Sequence, residues 1–288
     1  MPRWLTRIAR QLGALGVTVM LGGALTAALV RTSPGFDSDE RLLDPRLDAQ
    51  SRAAIQAEHA ADGNVAQFYV RHLAALARGD WGTSPSLKAP IGKLIRSRMP
   101  VTAELMAIGI AGGWVLAFAL ALAAVLRPGW AHVGGALSVT ALSIPAAALA
   151  VLIFSARGPI YGIIALILFP RLFDFLRNLL ADAYAQPHIV TARAKGLSPA
   201  RILIWHVIPV CAPQLLALAG VSASMAFGAA IPVETLCDLP GIGQLAWKAA
   251  VARDLPVLVS LTMLITLMTQ ISNAVSDWAG AGLQKGRT

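Results

Sequence analysis

Charged side chains are scarce in this 288-residue chain, and where they fall limits the chemistry open to it. Beside the apolar runs stand Glu104, Asp174, Asp182, Glu234 and Asp277, clustered near the ends of those runs. A carrier driven by protons or sodium keeps ionisable groups at the bilayer centre, so this placement argues against one. The five histidines, His59, His72, His132, His188 and His206, show no i, i+4 pairing, and no metal site or other cofactor is expected. The P-loop pattern is missing, since Gly92-Lys93 lacks both the upstream Gly and the following hydroxyl residue, so the chain is not expected to hydrolyse nucleotide. H-E-x-x-H is likewise missing, and Gly220-Val221-Ser222-Ala223-Ser224 fails G-x-S-x-G at its last position, which argues against an intramembrane hydrolase.

Three groups of residues remain. Glu234 precedes Pro240-Gly241-Ile242-Gly243, and a carboxylate at the end of an apolar run is costly unless hydrated or paired. Pairing with Arg253 is the structural reading, and contact with a solute amine is the functional one. Ser222, Ser224 and Met225 are small, hydroxylated or soft, so they either line a route through the membrane or serve close helix packing. Thr191-Ala192-Arg193-Ala194-Lys195-Gly196-Leu197-Ser198 is basic and broken by a glycine. Small side chains at Ala192 and Ala194 admit another protein's surface, while Gly196 can end a short helix in the left-handed region. The segment has the character of a handle for a partner. His206 reads as a helix-start residue.

The elements that must position these groups follow from hydropathy. Hydrophobic residues make up 56% of the chain and charged ones 14%, which points to an integral membrane protein. Leu105 to Leu126, Val133 to Ser155, Val210 to Ile231 and Leu255 to Ala274 carry no Asp, Glu, Lys or Arg, and each approaches the roughly 20 residues that span hydrocarbon. Leu12 to Val30 is a fifth such run, preceded by Arg3, Arg7 and Arg10; it is either a cleaved signal peptide or a retained first helix, and retention is favoured because no convincing small-x-small cleavage site follows and several further spans come after it. Ile160 to about Tyr184 is a sixth, its inner half amphipathic.

With six spans, Arg3, Arg7, Arg10, Arg127, Arg193, Lys195, Arg201, Lys285 and Arg287 share one face, which is then cytoplasmic along with both termini. Residues 31–99 lie outside with ten basic and eight acidic residues, long enough to escape the charge rule. In that ordered external segment Ser51 to Ala61 and Phe68 to Leu76 read as helices and Gly79-Asp80-Trp81-Gly82 as a turn with an aromatic anchor. Another helical entry begins near Pro90, ahead of Pro100 and the second span. The expected organisation is thus 1–30 (N-terminus and first span), 31–99 (external) and 100–288 (a five-helix core). The net charge of +9 is scattered, with no aromatic-interleaved basic stripe, so it suits anionic lipid and not nucleic acid. Cys211 and Cys237, 26 residues apart, would be separated by about 39 Å on one helix and cannot bridge.

Several motifs in order carry a family resemblance. They are Gly79-Asp80-Trp81-Gly82-Thr83-Ser84; Ile95, Arg98, Pro100, Thr102, Glu104 and Leu105; Arg177 and Asp182; Thr191 to Leu197 with His206 and Pro209; Val233-Glu234-Thr235; Pro240-Gly241-Ile242-Gly243; and Ala252-Arg253-Asp254-Leu255-Pro256-Val257. Together they resemble the inner-membrane permease subunits of ATP-binding-cassette importers for dipeptides, oligopeptides and nickel. The resemblance implies an all-α, six-helix type I importer permease in a bacterial inner membrane. It implies a coupling helix at about 187–204 seated in a groove of an ATPase subunit. It also implies a second permease, two ATPase subunits and an external substrate-binding protein as partners. The chain departs from the family at Pro187 and His188, where an acidic residue and a Tyr are usual, and at Cys237 and Asp238, where an aromatic and Ser are frequent. The loop at Ala156 to Pro159 is also short. Competing readings are a non-transport scaffold or assembly factor and, third, a secondary carrier.

Overall fold

The computed structural model describes residues 3–32 and 65–285, so the helix expected at Ser51 to Ala61 lies outside the described residues. Helix α1 (Arg3–Thr32) is followed by α2 (Val65–Ala77) and by a two-residue antiparallel pair, β1 (Thr83–Ser84) and β2 (Ala89–Pro90), with Thr83 opposite Pro90. Every later element is helical: α3 (Ile91–Leu126), α4 (Pro128–Ser143), α5 (Ala146–Ser155), α6 (Ile160–Tyr184), α7 (Pro187–Ala194) and α8 (Pro199–Ile202). A π-helical turn over Leu203–Val207 then leads into α9 (Ile208–Leu236), α10 (Ile242–Val251) and α11 (Leu255–Lys285). The protein is all-α. Among the described residues four stretches are long and apolar enough to cross a membrane: Gly13–Thr32, Ile91–Leu126, Pro199–Leu236 and Leu255–Gly280. The bent pair α4 and α5 makes a fifth if it counts as one span. Helix α6 is unbroken over 25 residues, but from its middle onward it carries Arg171, Asp174, Arg177 and Asp182.

Two expectations about continuity need correction. The run Val133 to Ser155 is not one straight helix, because α4 and α5 meet at 99°. Pro145 has no N–H to continue the ladder and forces the residue before it into extended backbone; Ile144 sits at φ −97°, ψ 121°. Conversely, the entry near Pro90 and the second span are one helix, α3, which runs through Pro100. His206 is no helix start either, since it lies inside the π-turn. There the Ile208 N–H reaches back to the Leu203 carbonyl, and Pro209 offers no donor to the same turn.

The chain divides into two compact units. One comprises Met1–Met99 with Leu245–Met268. In it the Tyr69 hydroxyl donates to the Met20 carbonyl at 2.5 Å. Helix α1 has a glycine at that point because a Cβ on Gly23 would stand 2.8 Å from Tyr69 Oη and 2.9 Å from Met263 Cγ. The core here is Ala27, Tyr69, Leu255 and Val259. Trp81 lies over Gly92 of α3, the aromatic anchor expected at the turn.

The other unit comprises Pro100–Gln244 with Thr269–Thr288. Helix α6 is its centre: Ile163, Ile164, Leu168, Leu172, Phe173, Leu176 and Leu180 are wholly buried. Glycines let neighbouring helices approach it. A Cβ on Gly109 would stand 2.6 Å from Ile164 Cβ, and one on Gly134 would collide with the Phe173 ring.

Five helices end in the same way. At Gly79, Arg157, Gly196, Asp238 and Arg253 the chain turns through positive φ. In each case the following N–H reaches back five residues: Asp80 to Ala75, Gly158 to Ile153, Leu197 to Ala192, Leu239 to Glu234 and Asp254 to Ala249. This is the Schellman closure, which satisfies carbonyls left over at a helix end.

Candidate functional site

The first site is the carboxylate of Glu234, which is completely buried. Its Oε1 accepts the Thr102 hydroxyl at 2.7 Å, and its Oε2 accepts the backbone N–H of Gly243 at 2.6 Å and of Gln244 at 3.2 Å. Thr102 Oγ1 in turn accepts the Ile242 N–H at 2.8 Å. The first three amides of α10 therefore all end on this pair, and a negative charge at a helix N-terminus is stabilised by the helix dipole. The glycines of Pro240-Gly241-Ile242-Gly243 are required sterically. A Cβ on Gly241 would collide with the Glu234 carboxylate, and one on Gly243 would lie 2.7 Å from Ile231 Cα. The Gln244 side-chain amide donates to Asp238 at 2.7 Å and ties down the loop between. Arg253, the expected partner, is exposed at φ +53° in the Schellman turn before α11. It and Glu234 belong to different units.

A second buried carboxylate is that of Asp254, which the sequence offers only as part of the motif Ala252 to Val257. Asp254 accepts the hydroxyls of Ser84 at 2.5 Å and Ser86 at 2.6 Å on Oδ2, and the Val257 N–H at 3.2 Å on Oδ1. It caps α11 and fastens the β1–β2 turn to it. An Asp immediately before an apolar helical run, with Pro256 in the first turn, is a helix-start signal; that Ser84 and Ser86, 170 and 168 residues away, share it has no local signal.

The second site is the turn after α7. Ala194, Lys195 and Gly196 are exposed, Gly196 has φ +71°, and nothing lies within 4 Å of where its Cβ would be. Thr191 and Arg193 are also exposed, though Arg193 stacks its guanidinium 5.7 Å over the Tyr184 ring. Leu197 packs onto the core, and Ser198 caps α8. Ala192 departs from expectation. It is 4% exposed, turned into the core of its own chain, so its small size serves internal packing. Of the two alanines only Ala194 faces outward.

Of the residues read as lining a route, Ser222 is wholly buried, donates to Leu218 at 2.7 Å and accepts the Trp114 indole N–H at 3.0 Å. Ser224 donates to Gly220 at 3.4 Å. Ser222 with Trp114 joins α9 to α3, and Ser224 is half-buried. Met225 borders a cavity of about 330 Å³ between the α4–α5 bend, α6 and α9, whose lining does not include Ser222 or Ser224. Asp174, expected near an end, lies in the body of α6 and accepts the Ser138 hydroxyl at 3.0 Å. No group of three or more metal-ligating side chains occurs among the described residues.

Residues 109–287 match the family of binding-protein-dependent transport system inner membrane components, and the chain belongs to that family. It is 26% identical over 295 aligned positions, covering 95% of each chain, to the glutathione transport system permease protein GsiC of Salmonella paratyphi A. Identity is 23% with the oligopeptide transport system permease protein AppB of Bacillus subtilis, covering 91% of each chain. With the oligopeptide transport system permease protein OppB of Escherichia coli K12 it is 29%, covering 82% of this chain and 84% of that one. This chain is accordingly a multi-pass inner-membrane permease subunit of an ATP-binding-cassette importer. It is not an enzyme, since ATP is hydrolysed by separate ATPase subunits that partner it along with a substrate-binding protein.

Proposed function

We propose that this permease forms half of a pathway for peptides or a similar small solute, paired with a second, non-identical permease. The turn from Thr191 to Leu197 docks in a groove of the ATPase subunit on the cytoplasmic side, where both termini also lie. The observation that carries this reading is the geometry of that turn. A Schellman closure holds its backbone, Leu197 anchors it to the core, and Ala194, Lys195 and Gly196 stand clear of their own chain. Such a rigid knob transmits a push. The peptide assignment is supported by the relatives, which are permease proteins of glutathione and oligopeptide transport systems.

Glu234 is assigned a gate-forming structural role in this scheme, in preference to direct contact with solute. Its burial and its hydroxyl and amide donors support that role. Met225 is assigned to the pathway, and Ser222 and Ser224 to packing. The decisive experiment is reconstitution of the permeases with the ATPase subunits in liposomes. Loaded binding protein should stimulate ATP hydrolysis, and Gly196→Pro should abolish that stimulation without removing this chain from the membrane. Unchanged stimulation in the variant would overturn the docking assignment.

A further inference from the structure

The cavity beside Met225 is walled mostly by small or apolar residues, among them Ala141, Ala146, Gly228 and Ala229. One side chain in that wall does not fit the description: Arg171. Its guanidinium is exposed and, among the described residues, makes no hydrogen bond or ion pair. The acid one turn further along α6, Asp174, is engaged by Ser138 and is not part of the cavity wall. Arg171 is the twelfth of the 25 residues of α6, about 17 Å from the helix start at 1.5 Å per residue. It is the first charge met along α6 from its apolar end, Ile160–Pro170 carrying none, and Asp174, Arg177 and Asp182 follow it. A cation that borders an apolar stretch and also lines a cavity points to an ion or solute pathway, because hydrocarbon alone does not hold it. The volume of about 330 Å³ lies at the small end of the range for small-molecule sites.

We infer that Arg171 is the counter-charge for a carboxylate of the transported solute. A guanidinium presents two parallel N–H donors that match both oxygens of a carboxylate. The small residues across the cavity leave room for the rest of the molecule without selecting its side chains. The inference rests on the pathway reading of α9 and narrows it. The solute class is a small molecule with a free carboxylate, such as a short peptide with an unblocked C-terminus, and Arg171 distinguishes the acid from its amide.

The test uses the assembled transporter in liposomes with Cys211 and Cys237 changed to Ala and Met225→Cys as a reporter. Its labelling by an anionic and by a cationic methanethiosulfonate reagent is compared with Arg171 present and with Arg171→Gln. The anionic reagent should react about fivefold or more faster than the cationic one beside Arg171, and the preference should vanish in Arg171→Gln. Excess tri-alanine should slow labelling more than tri-alanine amide does, again only with Arg171. Equal preference in both backgrounds overturns the inference, as would arise if a carboxylate of the second permease already neutralised Arg171. Equal protection by acid and amide, or protection by neither, also overturns it. In those cases labelling still occurs and the pathway reading stands, whereas a reporter inert to both reagents overturns the two readings together.

Discussion

Glu234 shows how a side chain that looks like a substrate contact can be a structural keystone. Three donors converge on its two oxygens, two of them backbone N–H groups that cannot be moved without moving α10. Thr102→Val leaves one carboxylate oxygen and the Ile242 N–H without these bonds, at about 1–3 kcal/mol for each buried group left unsatisfied. Thr102→Ser should be nearly silent. Thermal unfolding of the purified transporter in detergent checks both. Exchanging the charges, Glu234→Arg with Arg253→Glu, is expected not to restore uptake. A guanidinium has no acceptor for the Thr102, Gly243 and Gln244 donors. Recovery of uptake in the double variant would show that the charge pair, and not the cap, is what matters.

At the scale of elements, the helix ends separate what is legible from what is not. Gly79 and Gly196 announce their turns, because glycine is the residue that takes positive φ without cost. Arg157, Asp238 and Arg253 close helices by the same geometry with no such signal. Arg157→Gly should therefore stabilise the protein by about 1 kcal/mol, read as a higher unfolding temperature. Helix α7 yields the opposite kind of substitution. Ala194→Trp should leave the fold intact and sever ATPase coupling, while Ala192→Trp should reduce the amount of folded protein, since Ala192 has no room around it. Co-purification of the ATPase with each variant distinguishes the two.

Helix α2 adds a dependence on pH. Burial pushes the His72 imidazole below its ordinary value, opposed in part by Asp80. The ring stacks on Phe68 and lies 3.1 Å from the Ser260 hydroxyl. A base with a depressed folded pKa stabilises the fold above its unfolded pKa of about 6.5 and loses that contribution as pH falls through the folded value. Limited proteolysis of the segment around α2 should accelerate between about pH 7 and pH 5, and His72→Gln should flatten the profile.

For the molecule as a whole, membership in the family was legible from short motifs scattered along the chain, and the match over residues 109–287 bears it out. The pairing with a second permease belongs to the assembly. Native mass spectrometry of the purified importer should find one copy of this chain beside one of a different permease, and two copies of this chain would contradict that.

Hydropathy settles that the chain is helical and crosses the membrane, because hydrocarbon satisfies no backbone group and admits few charges. Glycine and proline settle several of its turns, because they restrict φ or free it at the residue itself. These are local properties. The tertiary structure alone decides that Thr102 and Glu234, 132 residues apart, share one hydrogen bond, that Ala192 faces inward and Ala194 outward, and that Arg171 stands beside Met225 in a cavity. Each depends on which faces of distant helices meet, and that is set by how side chains along α6 and α9 fit together, not by the character of any one stretch.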